Sequence, residues 1–209
     1  PLYEGELCSS DAGTYKDEDY LSVTNEYVVP QSTAKYTKNK RDAYMAGALA
    51  RFNLNYETLH PKAKKAAAAL NLKAPCHNPF MISVAQVVEI VDSLENAIEL
   101  IDIILKRGLQ EETLEIKPRA GRGVGIVEGP RGILFHDYTY SEKGEIVKAN
   151  CIIPTNQNHA NIQKDMEKFL PMILDKSQDE IRLGLEMLVR AYDPCISCST
   201  HYLDVKFIK

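Results

Sequence analysis

Apolar residues recur at helical spacing over most of the chain, and the longest such run lies between Pro79 and Arg107. Ile82, Val84, Val87, Val88, Val91, Leu94, Ala97 and Ile98 mostly follow steps of three and four, the period of one helix face. Gly108 stands where a left-handed cap would stop that helix. Glu89, Asp92, Glu95, Glu99 and Asp102 interrupt the stretch from Phe80 to Leu105, which makes it amphipathic and excludes a membrane span. Glu89, Glu95 and Glu99 read as a solvated face of this helix rather than as acid–base pairs. Asp42 to Phe52 and Pro61 to Leu70 predict two shorter helices. Asn158 is placed as the cap of another, running to about Leu170. Ser177-Gln178-Asp179-Glu180 has the spacing of a capping box. The helix it opens, Ile181 to Tyr192, turns Leu185, Leu188 and Val189 inward until Pro194 ends it.

The pattern changes at about Leu114. Glu115-Ile116-Lys117 and Gly125-Ile126-Val127-Glu128 predict short strands. Residues 132–140 and 145–153 predict a hairpin across Ser141-Glu142-Lys143-Gly144. Residues 1–40 are polar and Tyr-rich without periodic apolar positions, which predicts irregular structure covering a surface or a partner. The fold class that follows is α+β and predominantly helical: a long helix plus a helical bundle, with a small antiparallel β insert at about residues 112–155.

Composition refines this in three ways. With 209 residues, 44% hydrophobic and 26% charged, the chain can build a core. A net charge of −4 with no basic run excludes a nucleic-acid surface, which needs clustered Lys and Arg. Five unevenly spaced cysteines argue against a secreted disulfide scaffold and for a reducing, cytoplasmic setting. The chain opens on Pro1 with neither initiator Met nor signal peptide, so a piece of a longer polypeptide is expected.

The densest chemistry lies at Asp193-Pro194-Cys195-Ile196-Ser197-Cys198-Ser199-Thr200-His201. Two thiols and an imidazole at steps of three suit nickel, zinc or iron better than magnesium or calcium. A redox dithiol would need a βαβ context, and haem attachment would need His directly after the second Cys; neither pattern is present. Two structural thiols without a ligand role remain an open alternative. Cys8, Cys76 and Cys151 occur singly, so further ligands to Cys195 and Cys198 would have to come from elsewhere. Gly121-Arg122-Gly123-Val124-Gly125 does not make the dinucleotide fingerprint, which needs its third Gly at 126, where Ile126 stands, and a helix afterwards. Glu128-Gly129-Pro130-Arg131-Gly132 reads as a tight turn presenting a guanidinium, either to solvent or to an anionic ligand. His60 suits a helix entry, His77 and His159 loops, and His136 a strand beside Asp137.

These residues carry a resemblance. The terminal Asp193–His201 segment, the turn Glu128–Gly132 with Ile133-Leu134-Phe135-His136, Cys151-Ile152-Ile153-Pro154-Thr155 and Gly47-Ala48-Leu49-Ala50-Arg51 are similar, in the same order, to segments of the C-terminal half of nickel–iron hydrogenase large subunits. The likeness, to the cytosolic bidirectional type, runs from near residue 1 to His201.

The resemblance implies a buried nickel–iron centre, its iron carrying carbon monoxide and cyanide, that oxidises or forms dihydrogen. Cys195 would be a terminal nickel thiolate, Cys198 a bridging one, and His201 a magnesium ligand. Arg131, paired with Asp193, would face the metals; Pro130 and Thr155 would line the iron-ligand pocket. The implied partners are an iron–sulfur small subunit, the amino-terminal part of the large subunit and a maturation protease. The family's other Cys-x-x-Cys motif is absent, and residues 202–209 follow the point where precursors are trimmed. An unprocessed and, by itself, inactive piece is therefore expected. A non-catalytic relative in a respiratory complex would lack the nickel cysteines, and a zinc-binding scaffold is the third alternative.

Overall fold

The structure, a computed structural model, describes residues 5–11, 13–111, 113, 115, 117–198 and 205–208. Its elements in chain order are strands β1 (Leu7–Ser9), β2 (Gly13–Tyr15), β3 (Asn25–Tyr27) and β4 (Tyr36–Lys38), then helices α1 (Ala48–Asn55), α2 (Pro61–Ala69) and α3 (Ile82–Arg107). Strands β5 (Gly121–Gly129), β6 (Gly132–Tyr140) and β7 (Ile146–Ile152) follow, then α4 (Pro154–Phe169) and α5 (Gln178–Ala191).

The helices pack around one apolar core. Leu49 and Phe52 of α1, Ala63 and Ala67 of α2, Ile82, Ala85 and Val88 of α3, Ile162 of α4 and Leu188 of α5 meet there. Small residues on α2 let it lie close against α3. A second core under the β sheet joins Leu7, Tyr20, Val23, Phe135 and Ile152. The Tyr20 ring stacks on Phe135, and its hydroxyl donates to Asp137 (2.9 Å) while accepting from Asn150 (2.7 Å). Arg122 closes the network with two 2.8 Å bonds to the Asp137 carboxylate.

The fold class holds: a mainly helical α+β chain with small antiparallel sheets. Several details differ from the sequence expectations. The stretch 1–40, expected to be irregular, contains two small hairpins, β1–β2 and β3–β4. Three-residue strands are too short to show an alternating pattern. The helix expected from Asp42 begins at Ala48, because Gly47 with φ +105° breaks the helical path. Asn158 does not cap α4; Pro154 occupies its first turn and Asn158 is buried inside the helix. His159, expected in a loop, lies on α4 as well. Of Glu115-Ile116-Lys117, Ile116 lies outside the described residues, and the flanking two are not in a strand. The three-stranded sheet has the order β5-β6-β7, with a register shift at Thr139/Tyr140.

Two expectations are met closely. The Ser177 hydroxyl accepts from the Glu180 amide while the Glu180 carboxylate accepts from the Ser177 amide, the full reciprocal capping box. The long helix spans 26 residues and ends at Gly108, φ +79°. No described helix is long and apolar enough to cross a membrane.

Candidate metal centre

Helix α5 delivers the cysteine segment by a forced exit. Tyr192 is buried, its hydroxyl donating to Asp165 (2.5 Å) and accepting from Asn161 (2.7 Å), which fixes the end of α5 to α4. Burial, with the Asp165 carboxylate beside it, pushes the Tyr192 phenol above its ordinary range, so it stays a donor. Asp193 then adopts φ +49°, a left-handed conformation that Asp tolerates, and Pro194 prevents the helix from resuming. The backbone amide of Cys195 donates to Thr155 Oγ1 at 3.2 Å. Thr155, 3% exposed, sits in the first turn of α4, directly after the sheet ends. Cys195 is thereby held between the exit of α5 and the entry of α4.

The two thiols share one turn. The Cys198 amide donates to the Cys195 carbonyl at 3.3 Å, and Ser197 Oγ lies 3.4 Å from Cys195 Sγ. A hydrogen bond from Cys198, reinforced by Ser197, holds the Cys195 thiol below its ordinary range; the same bond raises Cys198. Cys195 is the better thiolate of the pair. It is half-buried, whereas Cys198 is exposed.

Arg131 approaches the same segment from the sheet. Strands β5 and β6 pair up to Gly129 and Gly132, leaving Pro130-Arg131 as their connection. Arg131 Nε donates to the Asp193 carbonyl and Nη2 to Asp193 Oδ1 at 3.3 Å. Gln86 of α3 donates to the other carboxylate oxygen at 3.1 Å. Both members of the Arg131–Asp193 pair are more than a third exposed, so its contribution to stability is small. Its effect is positional: the guanidinium is tied two residues before Cys195.

The structure therefore brings Arg131, Asp193, Thr155 and Cys195 together, with Cys198 on the same turn and Pro130 next to Arg131. His201 lies outside the described residues, so its expected role has no geometry here. Among the described residues, no group of three or more His, Cys, Asp and Glu side chains could hold a metal ion. Two soft sulfur donors on an open turn fit part of a metal's coordination and need donors from another segment to complete it.

Sequence reasoning missed a second charged group. Arg51, 8% exposed, grips the Glu89 carboxylate with Nε and Nη2 at 2.5 and 2.8 Å. It also bonds the Glu128 carboxylate through Nη1. Glu89 is thus an internal ion-pair partner, which corrects its assignment to a solvated face. Burial pushes the Glu128 carboxyl above the usual carboxylate range against the pull of Arg51. These groups line a groove of about 920 Å³ beside Phe52, His60 and Asp92. Spacing could not reveal partners 38 and 77 residues apart. Only the likeness at Gly47–Arg51 hinted that this arginine matters.

Two thiols on one turn are donors of the kind soft metals take, and the scaffold that carries them is mainly helical. The chain belongs to the nickel-dependent hydrogenase family, whose profile matches residues 29–201. The alpha subunit of sulfhydrogenase 1 from Pyrococcus furiosus is 34% identical over 200 residues, covering 96% of this chain and 46% of that protein. One subunit of the F420-non-reducing hydrogenase of Methanothermobacter marburgensis is 32% identical, covering 91% of this chain and 42% of that protein. An NAD+-reducing [NiFe]-hydrogenase solved in its H2-reduced state superposes with a TM-score of 0.78 at 26% identity, over 96% of this chain and 48% of that one. The chain thus spans less than half the length of the relatives it matches.

Proposed function

We propose that this chain forms the carboxyl-terminal part of a hydrogenase catalytic subunit, contributing two thiolates, Cys195 and Cys198, to a nickel–iron centre for reversible oxidation of dihydrogen. The observation that carries it is the junction of Arg131, Asp193, Thr155 and Cys195 at the exit of α5. Zinc-site or structural thiols have no need for an arginine tied to the backbone two residues away. Family membership makes nickel the expected metal.

In this reading Cys195 and Cys198 would both hold the metals through their thiolates. Nickel and iron held there would supply Lewis-acid polarisation of dihydrogen for its heterolytic splitting. Cys195 Sγ, a thiolate when metal-bound, would be the base available to receive the proton. Arg131 would present its remaining N–H groups toward the metals near the cyanides, because a charged planar donor matches a small anion. Asp193 holds that guanidinium in place. Thr155 fixes the Cys195 backbone and, with Pro130, lines the ligand pocket. His201 is assigned to magnesium, and residues 202–209 to a segment removed by a maturation protease. The two missing thiolates are assigned to an amino-terminal part of the catalytic polypeptide. Residues 1–209 alone are then inactive, and electrons leave through an iron–sulfur small subunit in the cytoplasm.

The exposed apolar face of α3 supports a missing packing partner. Ile90, Leu94, Ile98, Ile101 and Leu105 are all more than half exposed and follow steps of three and four.

The test is infrared absorption and elemental analysis of the complete, matured subunit. Bands from iron-bound carbon monoxide and cyanide, with nickel present, are expected, and Cys198→Ser should abolish both. Zinc alone, or a Cys198→Ser variant with full activity and unchanged bands, would overturn the assignment.

A further inference from the structure

The Pro130-Arg131 connection carries its positive φ one residue after the two central positions. Two-residue connections that match the twist of paired strands need φ > 0 at one or both central positions. Neither Pro130 nor Arg131 has one; the positive φ falls on Gly132, at +141°. Side chains from outside the hairpin hold its carbonyls. Arg51 Nη1 donates to the Gly129 carbonyl at 2.8 Å, and Nη2 reaches the Pro130 carbonyl at 3.4 Å. On the other side, Asn158 Nδ2 donates to the Arg131 carbonyl at 3.0 Å. Asn158 is itself fixed by the Ala46 amide, which donates to its Oδ1 at 2.9 Å.

Arg51 can serve as an anchor because its own position is fixed. The Glu89 carboxylate on α3 takes Nε and Nη2 side-on, and Glu128 takes Nη1. One planar fork therefore spans a rigid helix and two successive carbonyls of the turn. A lysine ammonium, a point donor on a flexible stem, cannot span all of these partners at once.

We propose that Arg51 is a positioning residue for Arg131: by clamping the carbonyls of Gly129 and Pro130 to α3, it sets where the Arg131 guanidinium stands relative to Cys195. This rests on the reading of Arg131 as the donor to the iron ligands. Arg51 acts only through the turn and touches neither metal nor substrate.

The experiment compares Arg51→Lys with the wild type in the complete subunit, before and after metal insertion. In the metal-free protein, deuterium exchange of the backbone amides of residues 131–133 should rise about tenfold or more, with α5 unchanged. In the matured protein, the cyanide bands should broaden and move toward their positions in Arg131→Lys. Adding Arg51→Lys to Arg131→Lys should shift them no further. Unchanged exchange overturns the inference, as does a band shift of equal size in the Arg131→Lys background. If the wild type lacks cyanide bands, the hydrogenase reading fails while the exchange measurement still decides the clamp. Should Arg51→Lys fail to fold, Glu89→Gln loosens the far anchor and leaves both carbonyl bonds; a smaller rise in exchange at the same amides is expected, and no rise overturns the proposal.

Discussion

Thr155 illustrates how a single side chain ties distant parts of the centre together. Its hydroxyl accepts the Cys195 amide, linking the start of α4 to a segment forty residues later. Thr155→Val keeps the branched shape and removes the acceptor. The expected result is a loss of about 1 kcal/mol in urea unfolding of the metal-free subunit, with faster exchange at the Cys195 amide. An unchanged Cys195 amide would show that the bond does not hold the loop. At this scale the sequence was partly legible. Cys195, Cys198 and the Arg131 turn stood out by residue type and spacing. Arg51, Glu89 and Asn158 did not, because their meaning lies in partners 27 to 112 residues away. An internal ion pair and a solvated charge look identical in one dimension.

Among the elements, α2 and α3 are joined at His60. Its ring Nδ1 lies 2.8 Å from Asp92 Oδ1, which also accepts the His60 amide, and Nε2 is 3.6 Å from Glu99. The hydrogen bond to Asp92 raises the His60 pKa, outweighing partial burial, and Asp92 and Glu99 add their charge. A raised folded pKa means the contribution is fully present below the unfolded value of about 6.5 and is lost as pH climbs through the folded one. The His60 ring should therefore titrate above about 6.5 by NMR, and Asp92→Asn should bring it back down. The urea midpoint should fall as pH is raised through that window, and no fall would remove the pair from the stability of the α2–α3 joint. Elements with long periodic patterns, α3 and α5, were legible from spacing, and the Ser177 capping box marked its helix start correctly. The short hairpins β1–β2 and β3–β4 were not, since tertiary contact rather than local pattern defines three-residue strands.

Across the whole molecule, α3 is the unfinished part. It runs about 39 Å at the usual rise for 26 residues, and beyond Glu99 it is exposed on every side. Leu100, Ile101, Ile103, Ile104 and Leu105 stand exposed there, and so many uncovered apolar side chains belong inside a larger assembly. Glu95, Glu99 and Asp102 along it make a protein partner the better match than a bilayer. Replacing Ile98 and Ile101 with Glu should prevent association with the amino-terminal part of the catalytic polypeptide in co-expression, without lowering the unfolding midpoint of this chain. Undiminished association would place the contact elsewhere.

The turn bearing Arg131 and the entry to α1 interlock without side chains. A methyl group on Gly47 would stand 3.0 Å from the Arg131 carbonyl carbon and oxygen, and one on Gly132 would stand 2.9 Å from the Ala46 methyl. Both glycines also have positive φ, +105° and +141°. Two segments far apart in the chain are therefore locked into a shared history: neither can accept a bulkier residue while the other keeps its place. Lineages that remodel this corner must do so on both sides of the lock together, or lose the approach of the guanidinium altogether.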